Sequence, residues 1–122
     1  MSRFSDIVDH AKTRVQEQTV EEVHARLDRG EALAFIDVRE DREWVTAHAA
    51  GATHISKGVL ERDIEKAVPD TSTPVVLYCG GGSRSALAAE SLQRMGYTQV
   101  VSMIGGFGDW KSAGYPVSAG GE

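Results

Sequence analysis

An open, parallel α/β sheet of about five strands, with helices on both faces, is the architecture this 122-residue sequence predicts. Three observations carry that expectation. Residues 33–38, 74–78 and 100–103 are short, nearly continuous apolar runs, as strands buried on both faces of a parallel sheet would be. Segments of helical period separate them, and strands alternating with helices pair in parallel through right-handed crossovers. With 41% hydrophobic and 25% charged residues, the chain fits one domain able to bury its own core.

The elements follow in order. Phe4, Ile7, Val8, Ala11 and Val15 recur at helical spacing, with Asp6 and Asp9 early and Lys12 and Arg14 late, which suits the helix dipole. This predicts an amphipathic helix over 4–15, inside a helical extension of residues 1–17. Thr19-Val20-Glu21-Glu22 has capping-box form and opens a second helix, with Val20, Val23 and Leu27 as its apolar stripe and Gly30 as its stop. After the 33–38 strand come a helical turn over 41–47, a weak strand over 52–55 and a helix over 59–68. The last carries Glu61-Arg62-Asp63 and Glu65-Lys66 as a solvated face with i,i+4 pairing. The 74–78 run is the clearest strand, rich in β-formers and bounded by turn residues. A helix over 83–95 follows, its stripe Leu87, Ala88, Leu92 and Met95, its C′ residue Gly96. Residues 100–103 form the next strand, 107–113 a short last helix, and 119–122 a flexible tail.

Composition excludes several functions. Thirteen basic against eighteen acidic residues leave a net charge of -5 with no basic run, so nucleic acid is not an expected partner. No stretch nears the roughly 18 apolar residues of a membrane span, and the polar start lacks a signal-peptide core, so no membrane association is expected and the cytoplasm is the default compartment. His48 and His54 have no carboxylate or cysteine at ligand spacing, and His10 and His24 fall on surface helices. No metal and no cofactor is expected. Trp44 and Trp110 are expected to pack the covering helices.

The one cysteine, Cys79, can close no internal disulfide. It stands at the C-terminal end of the clearest strand, where open α/β sheets bind ligands. Gly80-Gly81-Gly82 can turn tightly and aim successive N–H groups at one point, and the helix opening at Ser83 adds its N-terminal donors and positive dipole end. A thiol so placed is expected to ionise readily and to act as a nucleophile without a separate base. The competing reading, an inert core thiol, does not explain three glycines in a row. Arg84, the fixed cation of the loop, is expected both to brace it and to hold an anionic group. Ser83 and Ser85 offer hydroxyls to the anion, and helix capping is the simpler reading for at least one of them. Asp37 and Arg39 are read as support: Asp37 accepting loop N–H bonds, Arg39 paired with Glu43.

These residues resemble the rhodanese family, whose active-site loop has the form Cys-x-x-Gly-x-Arg-Ser; here it reads Cys79-Gly80-Gly81-Gly82-Ser83-Arg84-Ser85. Asp37-Val38-Arg39-Glu40 with Glu43-Trp44 is similar to a family motif ending an earlier strand. Gly105-Gly106-Phe107 with Trp110 and Gly114-Tyr115-Pro116-Val117 is similar to its C-terminal signature. The resemblance runs in order from about 19 to 117 and implies a rhodanese-like domain over 18–118. It implies a sulfurtransferase that takes sulfane sulfur from a donor such as thiosulfate onto Cys79 and passes it to a nucleophilic acceptor, cyanide or a thiol. Its partners would be small sulfur donors and acceptors or a protein thiol. Where the family has Gly-His-Ile-Pro-Gly-Ala-x-x-Ile, residues 47–55 keep His48, Gly51, Ala52 and Ile55, so a loosened loop is expected beside the sheet.

Two alternatives stand beside this reading. A sulfur-carrier or docking module would use the same persulfide with little turnover of its own. A cysteine phosphatase or arsenate reductase would also cradle an anion with a cysteine and an arginine. The phosphatase loop, however, has five residues between the two, and here there are four, which narrows the cradle.

Overall fold

The computed structural model describes residues 2–121. Helix α1 (Arg3–Lys12) starts in a reciprocal Ser2–Ser5 capping box and ends three residues short of the predicted 15. The chain then extends into β1 (Gln16–Gln18), a strand the sequence did not announce. The Thr19–Glu22 capping box opens α2 (Val20–Asp28) as expected, with the Glu22 N–H donating to Thr19 Oγ1 at 3.1 Å and the Thr19 N–H donating to Glu22 Oε1 at 2.8 Å. There follow β2 (Ala34–Asp37), α3 (Asp41–Thr46), β3 (His48–Ala49) and β4 (Thr53–His54). A 3₁₀ turn (Lys57–Val59) leads into α4 (Leu60–Ala67), and then come β5 (Val75–Tyr78), α5 (Ser83–Arg94), β6 (Val100–Met103), α6 (Gly106–Ser112) and β7 (Val117–Ser118). On α4, Arg62 pairs with its neighbour Asp63 at 2.8 Å rather than four residues along.

Five strands form one parallel sheet, as the sequence predicts, and their order is β1-β6-β5-β2-β4. The alternation along β5 sorts the core. Val75 and Leu77, with Cys79 just beyond, face α4 and α5 with Leu60, Ile64, Ala88 and Leu92. Val76 and Tyr78 face the opposite layer, where Val20 and Val23 of α2 meet Phe107 and Trp110 of α6. Helix α1 packs along α5 through buried Val8 and Ala11. Trp44 and Trp110 are both buried, as expected of packing residues. Among the described residues no helix is long and apolar enough to cross a membrane.

Strand β2 leads outward to β4, and β5 leads the other way to β6. Their C-terminal ends therefore part, and a crevice opens where the strand order reverses. Residues 47–55, expected to be loose, border it and are tied down. β3 pairs antiparallel with β7, the Ala49 N–H donates to the Tyr78 hydroxyl at 2.9 Å, and the Ala50 N–H to the Pro116 carbonyl at 2.9 Å. Of the expected tail, Glu122 lies outside the described residues.

Candidate active site

Cys79 leaves β5 into the crevice, and the loop behind it turns because Gly82 adopts φ +107°, a left-handed conformation that suits glycine. That turn brings donors onto the sulfur. The Gly82 N–H reaches Sγ at 3.1 Å and the Ser85 N–H at 3.3 Å, while the Ser85 hydroxyl lies 3.5 Å away. Cys79 is only 1% exposed. Burial alone pushes its thiol up, but the Ser85 hydroxyl and the backbone N–H groups of Ser85, Gly82 and Gly81 outweigh it, and the net effect holds the thiol below its ordinary range.

The carbonyls of the same loop are held from the other side. Phe107 N–H donates to the Cys79 carbonyl at 2.7 Å and Gly108 N–H to the Gly80 carbonyl at 3.1 Å, so the first turn of α6 grips the loop backbone. Gly106 makes this approach possible. It sits at φ +53°, and a Cβ there would stand 2.4 Å from the Cys79 carbonyl oxygen. At Gly81, by contrast, a Cβ would meet nothing.

The remaining loop residues divide. Gly82, not a serine, is the N-cap of α5 and supplies no side-chain cap, which corrects the expectation that Ser83 or Ser85 caps the helix. A positive-φ cap needs glycine, and the shift moves both serines inside the helix. Ser85 is fully buried and turns to Cys79, with its hydroxyl 2.8 Å from that of Ser102 on β6. Ser83 opens α5 half-buried and makes no side-chain hydrogen bond among the described residues. Arg84 forms a two-point pair with Glu43 of α3, at 2.8 and 3.2 Å, and its guanidinium packs over Gly80.

Arg39 does not pair with Glu43. Its guanidinium binds Asp37 at 2.8 and 3.1 Å, donates to the Ala47 carbonyl at 2.6 Å and lies 4.5 Å over the Phe107 ring. Asp37 also accepts the Arg39 N–H at 2.8 Å, the loop N–H bond expected of it. Glu43 is thereby left to Arg84, whose hydrogen bond drives the carboxyl down to about 2. Two hollows flank this pair. One of about 670 Å³ has Arg84, Leu87 and Phe4 in its wall, and one of about 440 Å³ has Glu43, Phe107 and Lys111.

Sequence reasoning missed Ser102, whose strand run reads as plain core, and missed Glu43 as the partner of Arg84, 41 residues away. No local signal marks either contact. The histidines lie apart from the sulfur: His48 stacks on Trp44 with ring centroids 3.4 Å apart, and His24 stacks on Tyr115 at 4.0 Å.

A family model of the rhodanese-like domain matches residues 19–113. The chain belongs to the rhodanese-like domain family. This rhodanese-like chain is 38% identical over 86 residues to the thiosulfate sulfurtransferase GlpE of Coxiella burnetii, covering 70% of the chain and 78% of GlpE. To the putative sulfur carrier protein YrkF of Bacillus subtilis it is 29% identical over 96 residues, 79% of the chain, and it spans about half of YrkF, 51%. Among solved structures it is similar to a Rhodopseudomonas palustris protein of unknown function described as a possible tyrosine phosphatase. That similarity has a TM-score of 0.88 at 29% identity and covers 97% of this chain and 96% of the other. The sulfurtransferase class of the family fits the chemistry of the loop, a thiol ringed by donors.

Proposed function

We propose that this rhodanese-like domain transfers sulfane sulfur through a persulfide on Cys79. The observation that carries the reading is the pair of backbone N–H groups of Gly82 and Ser85 converging on Sγ, with the Ser85 hydroxyl in hydrogen-bond contact with the same sulfur. The ionised sulfur attacks the outer sulfur of thiosulfate; a new S–S bond forms, and the electron pair of the broken bond leaves with sulfite. An acceptor then attacks the outer sulfur of the persulfide. With cyanide the products are thiocyanate and the restored thiolate, so charge and sulfur balance. Gly80, Gly81 and Gly82 keep the rim free of side chains, which suits small donors and a thiol carried on a larger partner. The similarity to GlpE supports thiosulfate as donor, and that to YrkF supports a carrier role for the same persulfide.

A phosphatase reading is raised by the Rhodopseudomonas palustris neighbour. Two features weigh against it. The loop holds four residues between Cys79 and Arg84, and Asp37, the carboxylic acid at the end of β2, is locked to Arg39 rather than free to protonate a leaving group.

Intact mass spectrometry after thiosulfate treatment tests the proposal. One added sulfur is expected on the wild type and none on Cys79→Ser; equal labelling of both would sink it. A thiosulfate-to-cyanide assay beside a generic phosphatase assay separates the two chemistries. Turnover only in the second would replace the reading, and loading without turnover would select the carrier.

A further inference from the structure

Ser102 sits in the middle of the sheet. It is the third residue of β6, in register with Leu77 of β5 on one side and Glu17 of β1 on the other, and it is fully buried. A hydroxyl in that position has lost water as a partner and needs one from the protein. Its partner is the equally buried Ser85 hydroxyl at 2.8 Å, which in turn lies 3.5 Å from Cys79 Sγ. Three side chains from β6, α5 and the end of β5 thus form one line ending on the sulfur.

We propose that Ser102 is a positioning residue for the Cys79 nucleophile and acts through Ser85. Counting hydrogens sets the direction of the line. A thiolate only accepts, and Ser85 has one hydroxyl hydrogen. Once that hydrogen points at Sγ, the 2.8 Å contact must be a donation from Ser102 to Ser85 Oγ. In the neutral thiol the order can reverse: S–H donates to Ser85 Oγ, and Ser85 donates to Ser102. Ionisation therefore turns two hydroxyls by rotation. Each keeps its own proton, and the thiol proton passes to water. Donation from Ser102 holds the Ser85 rotor toward the sulfur and polarises its O–H bond, an effect that is stronger in a dry interior than in water.

The inference rests on the proposed function for its purpose, but its test reads thiol ionisation and not sulfur transfer. Because Cys79 is the one cysteine, the ultraviolet absorbance of the thiolate, taken as a difference from Cys79→Ser, titrates it alone. Ser102→Ala is expected to move the midpoint up by about 0.5 to 1 pH unit, reducing the thiolate fraction about three- to tenfold below that midpoint. Ser102→Thr, which keeps the hydroxyl, is expected to return the midpoint toward that of the wild type. In a Ser85→Ala background, adding Ser102→Ala should move the midpoint no further. An unmoved midpoint in Ser102→Ala, or an undiminished further shift in the Ser85→Ala background, would overturn the relay. Persulfide loading by thiosulfate is measured on the same variants. Loss of loading alone in the wild type would count against the transferase reading and leave the relay standing.

Discussion

Two arginine–carboxylate pairs border the crevice, and they differ in one respect, solvent. The side chains of Arg39 and Asp37 are 6% and 0% exposed, whereas those of Arg84 and Glu43 are 34% and 30% exposed. The Nε and Nη2 groups of Arg39 are taken up inside by the Asp37 carboxylate and the Ala47 carbonyl, and its guanidinium lies over the face of Phe107. Opening that pair would strand a charge in the interior, so it ties the end of β2 to the chain entering β3 and to α6, which grips the sulfur loop. Among the described residues Arg84 is hydrogen-bonded to Glu43 alone, and it faces a hollow. Water screens it, so exchanging its partner for an incoming anion costs little. In the proposed function the same ionic chemistry thus serves as a fixture in one place and as a movable contact in the other.

Asp37→Ala is the strongest test of the fixture. It leaves the Arg39 guanidinium buried without its counter-charge and is expected to cost about 3 to 5 kcal/mol in unfolding free energy, read from urea denaturation. A loss under about 1 kcal/mol would mean that the buried pair carries no more than an exposed one.

Arg84→Ala tests the movable contact. Stability is expected to change by about 1 kcal/mol or less. The apparent affinity for thiosulfate should weaken about tenfold, the scale of one hydrogen bond to a charged group. Arg84→Lys, which keeps charge but loses the planar fork, should fall between. Unchanged affinity for thiosulfate in Arg84→Ala would reduce the arginine to a brace for the loop.

The smallest effect is one of pH. The carboxyl of Glu43 lies at about 2 in the fold against an ordinary 4.5, because Arg84 donates to it. A depressed carboxyl adds stability that is complete above its unfolded value and disappears as pH falls toward its folded value. The stability difference between wild type and Glu43→Gln should therefore be steady near neutral pH and shrink between about 4.5 and 2, by a fraction of a kcal/mol for so exposed a pair. A difference that grows on acidification would show that some other group governs the contact.

Much of this site is legible along the chain. Cys79, the three glycines and the helix start are neighbours in sequence, and their geometry is local: a strand end, a positive-φ turn and helix N–H groups. The Thr19–Glu22 capping box and the stops at Gly30 and Gly96 follow from equally short-range rules. β1 escaped because it is a three-residue edge strand, Gln-Glu-Gln, bonded on one side, with no apolar alternation to betray it. The pairing of Arg39 was misread because a four-residue spacing to Glu43 matters only on a helix, and α3 begins after Arg39. The serine caps were misread because Gly82 takes the cap itself.

By itself the sequence determined the alternating elements, the placement of Cys79 at a strand end and the N–H-bearing glycine loop and helix start around it, since each depends on residues a few positions apart. Only the tertiary structure decided which arginine pair is sealed inside and which faces solvent, which hydroxyl stands behind Ser85, and how α6 holds the loop. Apart from the short-range Arg39–Asp37 pair, those contacts join residues 17 to 41 positions apart on α3, α5, β6, α6 and the Cys79 loop. They exist because packing strands in parallel gathers the C-terminal ends at one edge, where burial then selects the partners.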